Sequence, residues 1–195
     1  WIPHIAKTDL YKKSGHWDKF GDELFLVQSQ ETDDQFVMKP MNCPHHTQIY
    51  ASRMRSYREL PLRYMETTTN YRDEKAGELL GLSRVRSITQ DDAHAFCTME
   101  QIEQEFENIM TMIKKMYEAL DLQFKARLSF RDKEETSEKY LGSKQNWTKA
   151  QKIIEEIAKK LKINYFVAYD EAAFYGPKID VMIYDAIWRE WQCAT

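Results

Sequence analysis

The sequence has 195 residues, enough for one domain with a sizeable core, and 43% of them are hydrophobic. Its 6 glycines and 5 prolines exclude a disordered or linker-rich chain. No apolar run approaches the roughly 18 residues that cross a bilayer, and the net charge of −3 neither indicates nor excludes a nucleic-acid partner.

The first half of the chain predicts four strands and one helix. Pro44 is typical of the first turn of a helix, whose apolar positions recur to about Tyr57. The loop at 74–81 contains two glycines and separates two alternating runs, which predicts an antiparallel hairpin with this loop at its tip. The predicted strands cover residues 25–27, 36–41, 62–72 and 84–96.

The second half predicts two longer helices and four more strands. Thr98 and Gln101 have the spacing of a capping box at the start of the first helix, and Ser143 is a cap for the second. The apolar stripe of the first helix is predicted at Ile102, Phe106, Ile109, Ile113, Met116 and Leu120. The strands are predicted at 122–130, 164–168, 178–184 and 189–195. Together these elements predict an α+β fold, an antiparallel β-sheet flanked by helices.

One face of the predicted hairpin is unusually polar. Because alternate strand residues point the same way, one side of the second strand carries Arg84, Arg86, Ile88, Gln90, Asp92 and His94. The facing side of its partner carries Leu62, Tyr64, Glu66, Thr68, Asn70, Arg72 and Glu74. Such a face is either a solvated outer surface or a ligand site, and planar, directional side chains favour the ligand site.

Individual residues on this face suggest particular ligands. Arginines pair two oxygens at once and suit polyphosphate. His94 suits a metal, and Cys43 could join it, although a buried cysteine and an unrelated histidine are the simpler interpretation. The chain has three widely spaced cysteines, which do not form a disulfide framework and favour a reducing, cytoplasmic setting.

Several sequence words, in order, resemble threonyl-tRNA synthetases over nearly the whole chain. The resemblance implies the class II catalytic-domain fold, with 1–195 as a partial catalytic domain that ends before motif 3. It also implies that the editing and anticodon-binding domains are absent. The words are Met38-Lys-Pro-Met-Asn-Cys-Pro44, Pro61-Leu-Arg63, Tyr71-Arg72-Asp73-Glu74, Gly81-Leu-Ser-Arg-Val-Arg86, Thr89-Gln-Asp-Asp-Ala-His94 and Phe174-Tyr-Gly-Pro-Lys178.

For ATP, the resemblance implies five contacts and an accompanying Mg²⁺ ion. Arg72 would hold the α-phosphate together with the threonine carboxylate, and Glu74 would read the adenine amino group. Arg84 would hold the γ-phosphate end, and Gln192 would line the nucleotide pocket. Ile88 stands where the family usually stacks an aromatic ring under adenine, so ATP binding is expected to be weaker.

For threonine, the resemblance implies a Zn²⁺ site with Cys43 and His94 as two of its three protein ligands. The zinc would bind the amino and hydroxyl groups of threonine. Asp92 would accept a hydrogen bond from that hydroxyl, while Gln90 and Tyr175 would orient the amino group. The third zinc histidine is expected beyond Thr195, so the 195 residues alone are expected not to aminoacylate.

The implied reaction is that of a threonine–tRNA ligase acting on threonine, ATP and tRNA(Thr). Lys178 would approach the phosphates during adenylate formation, and His16 would assist transfer to the tRNA ribose. The segment around Pro3 resembles the end of motif 1, which implies a homodimer. His45 and Trp188 depart from the family pattern, the latter at a tight-turn position.

Three other interpretations remain. The chain could be a synthetase-like paralogue that binds ligand without catalysis. It could also be a class II synthetase for prolyl or seryl transfer, or a structural fragment that folds only with a missing C-terminal part. The start at Trp1 rather than Met is typical of an excerpt, and no signal peptide is predicted.

Overall fold

The computed structural model describes residues 1–134 and 139–195, and the chain divides into two units, Trp1–Thr98 and Met99–Thr195. Both units combine helices with strands, which confirms the predicted α+β class. No described helix is both long enough and apolar enough to cross a membrane. The assignment of 1–195 to one partial catalytic domain stays a prediction.

The first unit begins with a three-stranded antiparallel sheet in the order β1-β3-β2. Two short helices, α1 (Thr8–Lys13) and α2 (His16–Phe20), follow β1. The apolar core of this part consists of Tyr11, Leu24, Val37 and Met41. The strands are β1 (Ile5–Lys7), β2 (Leu26–Gln28) and β3 (Gln35–Met38).

The strand predicted at 36–41 ends three residues early, at Met38. Pro40 has no N–H group to donate to a neighbouring strand, so the ladder cannot continue through it. Lys39 closes the sheet instead, because its N–H donates to the His4 carbonyl and its carbonyl accepts from the N–H of Tyr71. These bonds tie the three-stranded sheet to the hairpin that follows.

The predicted hairpin is confirmed, with β4 (Leu62–Tyr71) and β5 (Ser87–Phe96) paired over ten residues each. The prediction that β5 begins at residue 84 was wrong. Arg84 lies in the tip, where it forms an isolated bridge with Leu80. The helix before the hairpin, α3 (Cys43–Ala51), is shorter than predicted and gives way to a 3₁₀ turn capped by Ser56.

The second unit packs two helices on a four-stranded sheet in the order β7-β6-β8-β9. Among the described strands, the pair β6–β7 is parallel, because α5 carries the chain across from one to the other. The other pairs are antiparallel, and β8 matches its predicted bounds. The elements are α4 (Ile102–Ala119), β6 (Phe124–Phe130), α5 (Lys144–Lys160), β7 (Tyr165–Tyr169), β8 (Lys178–Tyr184) and β9 (Glu190–Ala194).

The predicted apolar stripe of α4 was partly wrong. Ile109, Met116 and Leu120 are exposed, whereas Met110 and Tyr117 are buried. A 3₁₀ turn, Met99–Gln101, precedes the helix, and the face that packs runs through Phe106, Met110 and Tyr117. Helical spacing allowed two neighbouring stripes, and an apolar count cannot choose between them.

The cap of α5 is confirmed, since the Ser143 hydroxyl accepts from the N–H of Asn146 at 3.3 Å. Trp147 and Ile157 are buried on the inner face of this helix. The core of the unit lies between the helices and one face of the sheet, at Ala126, Leu128, Phe130, Ala158 and Ile179. The other face of the sheet is polar.

Candidate functional site

The polar face of the hairpin is the more buried of its two faces. In the register of β4 and β5, Glu66 lies opposite Asp92 and Tyr64 lies opposite His94. These four side chains are half-buried, while Met65 on the opposite face is 69% exposed. A solvated outer surface would show the reverse pattern, so this face is the inner side of the hairpin.

The start of α3 lies against this inner face. The Asn42 N–H donates to Asp92 Oδ2 at 3.4 Å, and Nδ1 of His46 lies 2.7 Å from Nδ1 of His94. Cys43 is the first residue of the helix, and burial together with the charge of Asp92 raises the pKa of its thiol to about 11. The fold therefore brings Cys43, Asp92 and His94 into one neighbourhood, although they are about 50 residues apart in sequence.

A zinc ion would find part of its ligand set here. A thiol and an imidazole are the donors that zinc prefers, and catalytic zinc sites normally have three protein ligands. Among the residues that the structure describes, no group of three or more His, Cys, Asp or Glu side chains is arranged to hold a metal. Cys43 and His94 thus fit two corners of a zinc site, and the other ligands would have to come from elsewhere.

Gln90 and Arg72 lie on the same face as Asp92. Gln90 Oε1 accepts from Asn70 Nδ2 at 2.7 Å, which fixes its amide. Arg72 follows β4 directly, its Nε donates to the Pro40 carbonyl at 3.4 Å, and its guanidinium lies over the ring of Phe20. The guanidinium is therefore held beside the start of α3 with most of its donors unused.

The hairpin tip holds an ion pair. Arg84 donates to Oε2 of Glu74 from Nε at 2.9 Å and from Nη2 at 2.7 Å, and Glu78 lies within 3.4 Å. Glu74 is buried, and its hydrogen bond raises the pKa of the Arg84 guanidinium. Glu74, predicted to contact adenine, and Arg84, predicted to hold the γ-phosphate, are therefore bonded to each other in this structure. Ile88, beside them, is 38% exposed.

His16 is also in the first unit, as the first residue of α2. Its side chain is buried, its Nδ1 lies 2.9 Å from the Ser14 hydroxyl, and its ring packs near Phe20. Burial lowers the pKa of the imidazole, which favours the neutral form. The role of His16 at the tRNA ribose stays a prediction.

The remaining predicted residues lie in the second unit. Tyr175 is 63% exposed in the loop before β8, Lys178 begins β8, and Gln192 lies in β9. Lys178 donates to Asp180 Oδ1 at 3.0 Å. Gln192 Oε1 accepts from Arg127 Nη2 at 2.8 Å, so Lys178 and Gln192 belong to one network on the polar face of the sheet.

Sequence reasoning missed the buried charged side chains that organise the polar face within each unit. In the first unit, fully buried Lys39 donates to the Thr68 hydroxyl at 2.6 Å and lies 3.6 Å from Glu66 Oε2. In the second unit, Asp180 and Arg127 play the corresponding part. The available signal for a buried charge was a pair of charged residues two apart in a predicted strand, as with Lys178 and Asp180. Exposed strands show the same spacing, so the signal does not identify buried charges.

Comparisons with known proteins agree with the fold. Residues 25–195 match the family model described as the tRNA synthetase class II core domain (G, H, P, S and T). The RNA binding domain of threonyl-tRNA synthetase from Cryptosporidium parvum is 35% identical, with a TM-score of 0.89 over 98% of this chain and 46% of that one.

Two curated relatives, both threonine–tRNA ligases, align over 99% of this chain. The protein from Synechocystis sp. is 50% identical and the protein from Gloeobacter violaceus is 52% identical. The chain spans about a third of their length, 33% and 31% respectively. The hairpin, its inner polar face and the match over most of the sequence lead to one conclusion: the chain belongs to the class II tRNA synthetase core domain family.

Proposed function

We propose that the chain is the part of a threonine–tRNA ligase that activates threonine with ATP and transfers it to tRNA(Thr). The observation that carries this proposal is the convergence of Gln90, Asp92 and His94 with Cys43 on the inner face of the hairpin. The curated relatives at about half identity support the choice of threonine.

Threonine would be recognised by its hydroxyl and amino groups. Asp92 would accept from the hydroxyl, and Gln90, fixed by Asn70, would accept from the amino group. Valine has a methyl group in place of the hydroxyl and would leave Asp92 without its partner. A site built for a hydroxyl can reject such an analogue by about 10⁴-fold.

Cys43 and His94 would hold a zinc ion beside Asp92. When bound, the zinc would supply a Lewis acid that grips the amino and hydroxyl groups of threonine. The unused donors of Arg72 would bind the threonine carboxylate and the α-phosphate of ATP. Nucleotide would be bound with Mg²⁺, and Ile88 would line its pocket.

In the first step, an oxygen of the threonine carboxylate attacks the α-phosphorus of ATP. The bond from that phosphorus to the bridging oxygen breaks, and pyrophosphate leaves. Arg72 would stabilise the negative charge that develops on the α-phosphate, and Arg84 and Lys178 would hold the departing phosphates. Glu74 would read the adenine amino group once Arg84 exchanges its carboxylate for phosphate.

In the second step, the ribose hydroxyl of tRNA attacks the threonyl carbonyl, and AMP leaves. Neutral His16 would accept the proton from that hydroxyl, directly or through the ribose. We extend the proposal to a homodimer in the cytoplasm, where threonine, ATP and tRNA are found together. The sequence around Pro3 supports the dimer through its resemblance to the end of motif 1.

Threonine-dependent exchange between ATP and pyrophosphate tests the first step in the protein at its natural length. Arg72→Ala should lower the exchange rate by about 10²–10³-fold, because the developing charge loses its main partner. Arg53→Ala is the matched control, since Arg53 is 68% exposed and, among the described residues, pairs only with Glu59. Exchange that survives Arg72→Ala, or that depends equally on Arg53, would contradict the proposal.

A second candidate is a binding protein that has lost catalysis. It is favoured by the Glu74–Arg84 pair, which closes the predicted nucleotide contacts, and by Ile88 in place of an aromatic ring. Threonine would then raise the melting temperature without any exchange activity. Zinc analysis of the protein with and without Cys43→Ser tests the metal, since unchanged zinc in the variant would remove Cys43 from the site.

A further inference from the structure

Asp180 is a fully buried carboxylate at the centre of the polar face of the second unit's sheet. Oδ1 accepts from Lys178 Nζ at 3.0 Å and from the Thr195 hydroxyl at 2.9 Å. Oδ2 accepts from the Ser129 hydroxyl at 2.6 Å and from Arg127 at 3.0 and 2.9 Å. Both oxygens are thus fully used inside the protein, and Asp180 serves as an anchor for the groups around it.

The network contains two cations, Arg127 and Lys178, around the single carboxylate of Asp180. Lys178, with the hydroxyls of Ser129 and Thr195, already neutralises and bonds Asp180. Arg127 adds a second cation, so the cluster carries a net charge of about +1 with Asp180 ionised. Burial alone would raise the pKa of Asp180, but the bonds from Ser129 and Lys178 outweigh it and the pKa is lowered.

Both cations keep donors for a further partner. Arg127 uses Nε and Nη2 on Asp180 and Gln192, and no bond from its Nη1 is found within the described residues. Lys178 uses one of its three ammonium protons on Asp180. Their side chains are 19% and 25% exposed, so each head reaches the surface of the unit.

The geometry fixes the two heads close together. Arg127 lies opposite Asp180 in the register of β6 and β8, and Lys178 precedes Asp180 by two residues on the same face. Because both heads are bonded to one carboxylate, they converge on a small area, with a planar fork beside a point charge. Such a pair matches neighbouring phosphate groups of a polyphosphate better than widely spaced phosphates on a nucleic-acid strand.

We propose that Arg127 binds the polyphosphate chain of a nucleotide together with Lys178, and that Asp180 positions both cations. This inference deepens the proposed function, on which it rests for the identity of the nucleotide as ATP. Arg127 is the new member of the site. Gln192, bonded to Arg127 Nη2, keeps the guanidinium turned so that Nη1 remains available.

Inorganic tripolyphosphate is the probe, titrated into the full 195-residue chain in a calorimeter at fixed ionic strength. Arg127→Gln should weaken binding by about tenfold, the equivalent of one lost hydrogen bond to a charged group. Arg127→Lys, which keeps the charge, should lose less. Lys152→Gln is the matched control, because Lys152 is 74% exposed on α5 and pairs with Glu156. The same substitution should weaken the binding of AMP, which has one phosphate, less than it weakens the binding of tripolyphosphate.

Several results would overturn the inference. These are no binding by the unmodified chain, unchanged binding in Arg127→Gln, or an equal loss in Lys152→Gln. If Arg127→Gln does not fold, the NMR signal of the Arg127 Nε–H group in the unmodified chain decides, since it should move on titration. Failure of threonine-dependent exchange leaves these binding results intact. The two proposals therefore fail separately.

Discussion

The two units each carry one sheet face lined by polar and charged side chains, and the faces differ in how completely they are bonded. In the second unit, Asp180 accepts hydrogen bonds on both of its oxygens. In the first unit, several buried side-chain polar atoms have no hydrogen-bond partner within the described residues. Within residues 1–134 and 139–195, such atoms are found only on Tyr11, Asn42, His45, Glu66 and Asn70.

We call the second unit's polar face around Asp180 the complete face, because both carboxylate oxygens are bonded. We call the first unit's polar face the incomplete face, because buried groups near it keep unused hydrogen-bonding capacity. A buried polar atom without a hydrogen-bond partner lowers stability by about 1–3 kcal/mol. Several such atoms in one place therefore require an explanation. The unpaired atoms surround the start of α3 and the Lys39–Glu66 pair, close to the predicted threonine site. The complete face instead holds its cations rigidly, with spare donors directed outward.

The largest expected effect is on the complete face. Asp180→Ala leaves Arg127 and Lys178 beside each other without their shared carboxylate, and we expect a loss of about 3–5 kcal/mol in the free energy of unfolding. Urea denaturation of the full chain measures it. Glu156→Ala, at an exposed pair on α5, should lose less than about 1 kcal/mol. Equal losses in the two variants would show that Asp180 is not an anchor.

Acid should remove part of the same contribution. The folded-state pKa of Asp180 is lowered, so its stabilisation is present above the unfolded value of 3.8 and is lost as pH falls below it. The difference in unfolding free energy between the unmodified chain and Asp180→Asn should therefore narrow as pH falls below about 4. A difference that stays constant down to pH 2 would contradict the assignment.

A smaller loss is expected on the incomplete face. Lys39→Met breaks the buried pair with Glu66 and should cost about 3 kcal/mol, because Glu66 keeps only the N–H of Ile2. Adding Glu66→Gln should restore part of the stability, since the uncompensated charge is then gone. If the double variant is less stable than Lys39→Met alone, the charge of Glu66 is compensated by a cation other than Lys39.

Substitution of Asn42 should change the unfolding free energy in the opposite direction. Neither atom of its fully buried amide has a partner, so Asn42→Leu should raise the unfolding free energy by about 1 kcal/mol while it lowers threonine-dependent activity. Thr47→Val is the control, because the Thr47 hydroxyl donates to the Cys43 carbonyl at 2.9 Å and its removal should destabilise. Destabilisation by Asn42→Leu would mean that the amide is bonded in solution.

The smallest effect concerns a turn away from both faces. Trp188 has a φ of +64° and is 83% exposed, so Trp188→Gly should gain about 0.5 kcal/mol by removing strain while little packing is lost. Ile187→Gly, next to it with ordinary φ, should lose stability through chain entropy. Thermal unfolding of the two variants gives the comparison, and a loss in both would remove the strain argument.

The sequence predicted the parts of the fold that depend on alternation. The β4–β5 hairpin and its polar face follow from the strict alternation of β5 and the looser alternation of β4, because one face of each strand differs chemically from the other. The ends of elements were less predictable. Arg84 continues the alternation of β5 but lies in the tip, where its bond to Glu74 holds it out of the ladder.

Part of the candidate site could also be predicted. The resemblance in sequence words identified Cys43, Asp92 and His94 together, and the register then placed them near one another. It could not identify Lys39 or Asp180, since a lysine or aspartate in a short apolar run has the same pattern whether it is buried or exposed. Only tertiary contacts distinguish the two cases.

The ion pair at the hairpin tip has a consequence for selectivity among anions. Glu74 acts as an internal substitute for the phosphate that Arg84 is proposed to bind, so the guanidinium is already oriented before any nucleotide arrives. Chloride and other weakly charged anions compete poorly with a carboxylate oxygen that lies 2.7 and 2.9 Å from two guanidinium nitrogens. A multiply charged phosphate can displace it, and the carboxylate that is released becomes available to the base. Binding of the γ-phosphate to Arg84 would therefore release Glu74, the residue proposed to contact the adenine of the same ATP molecule.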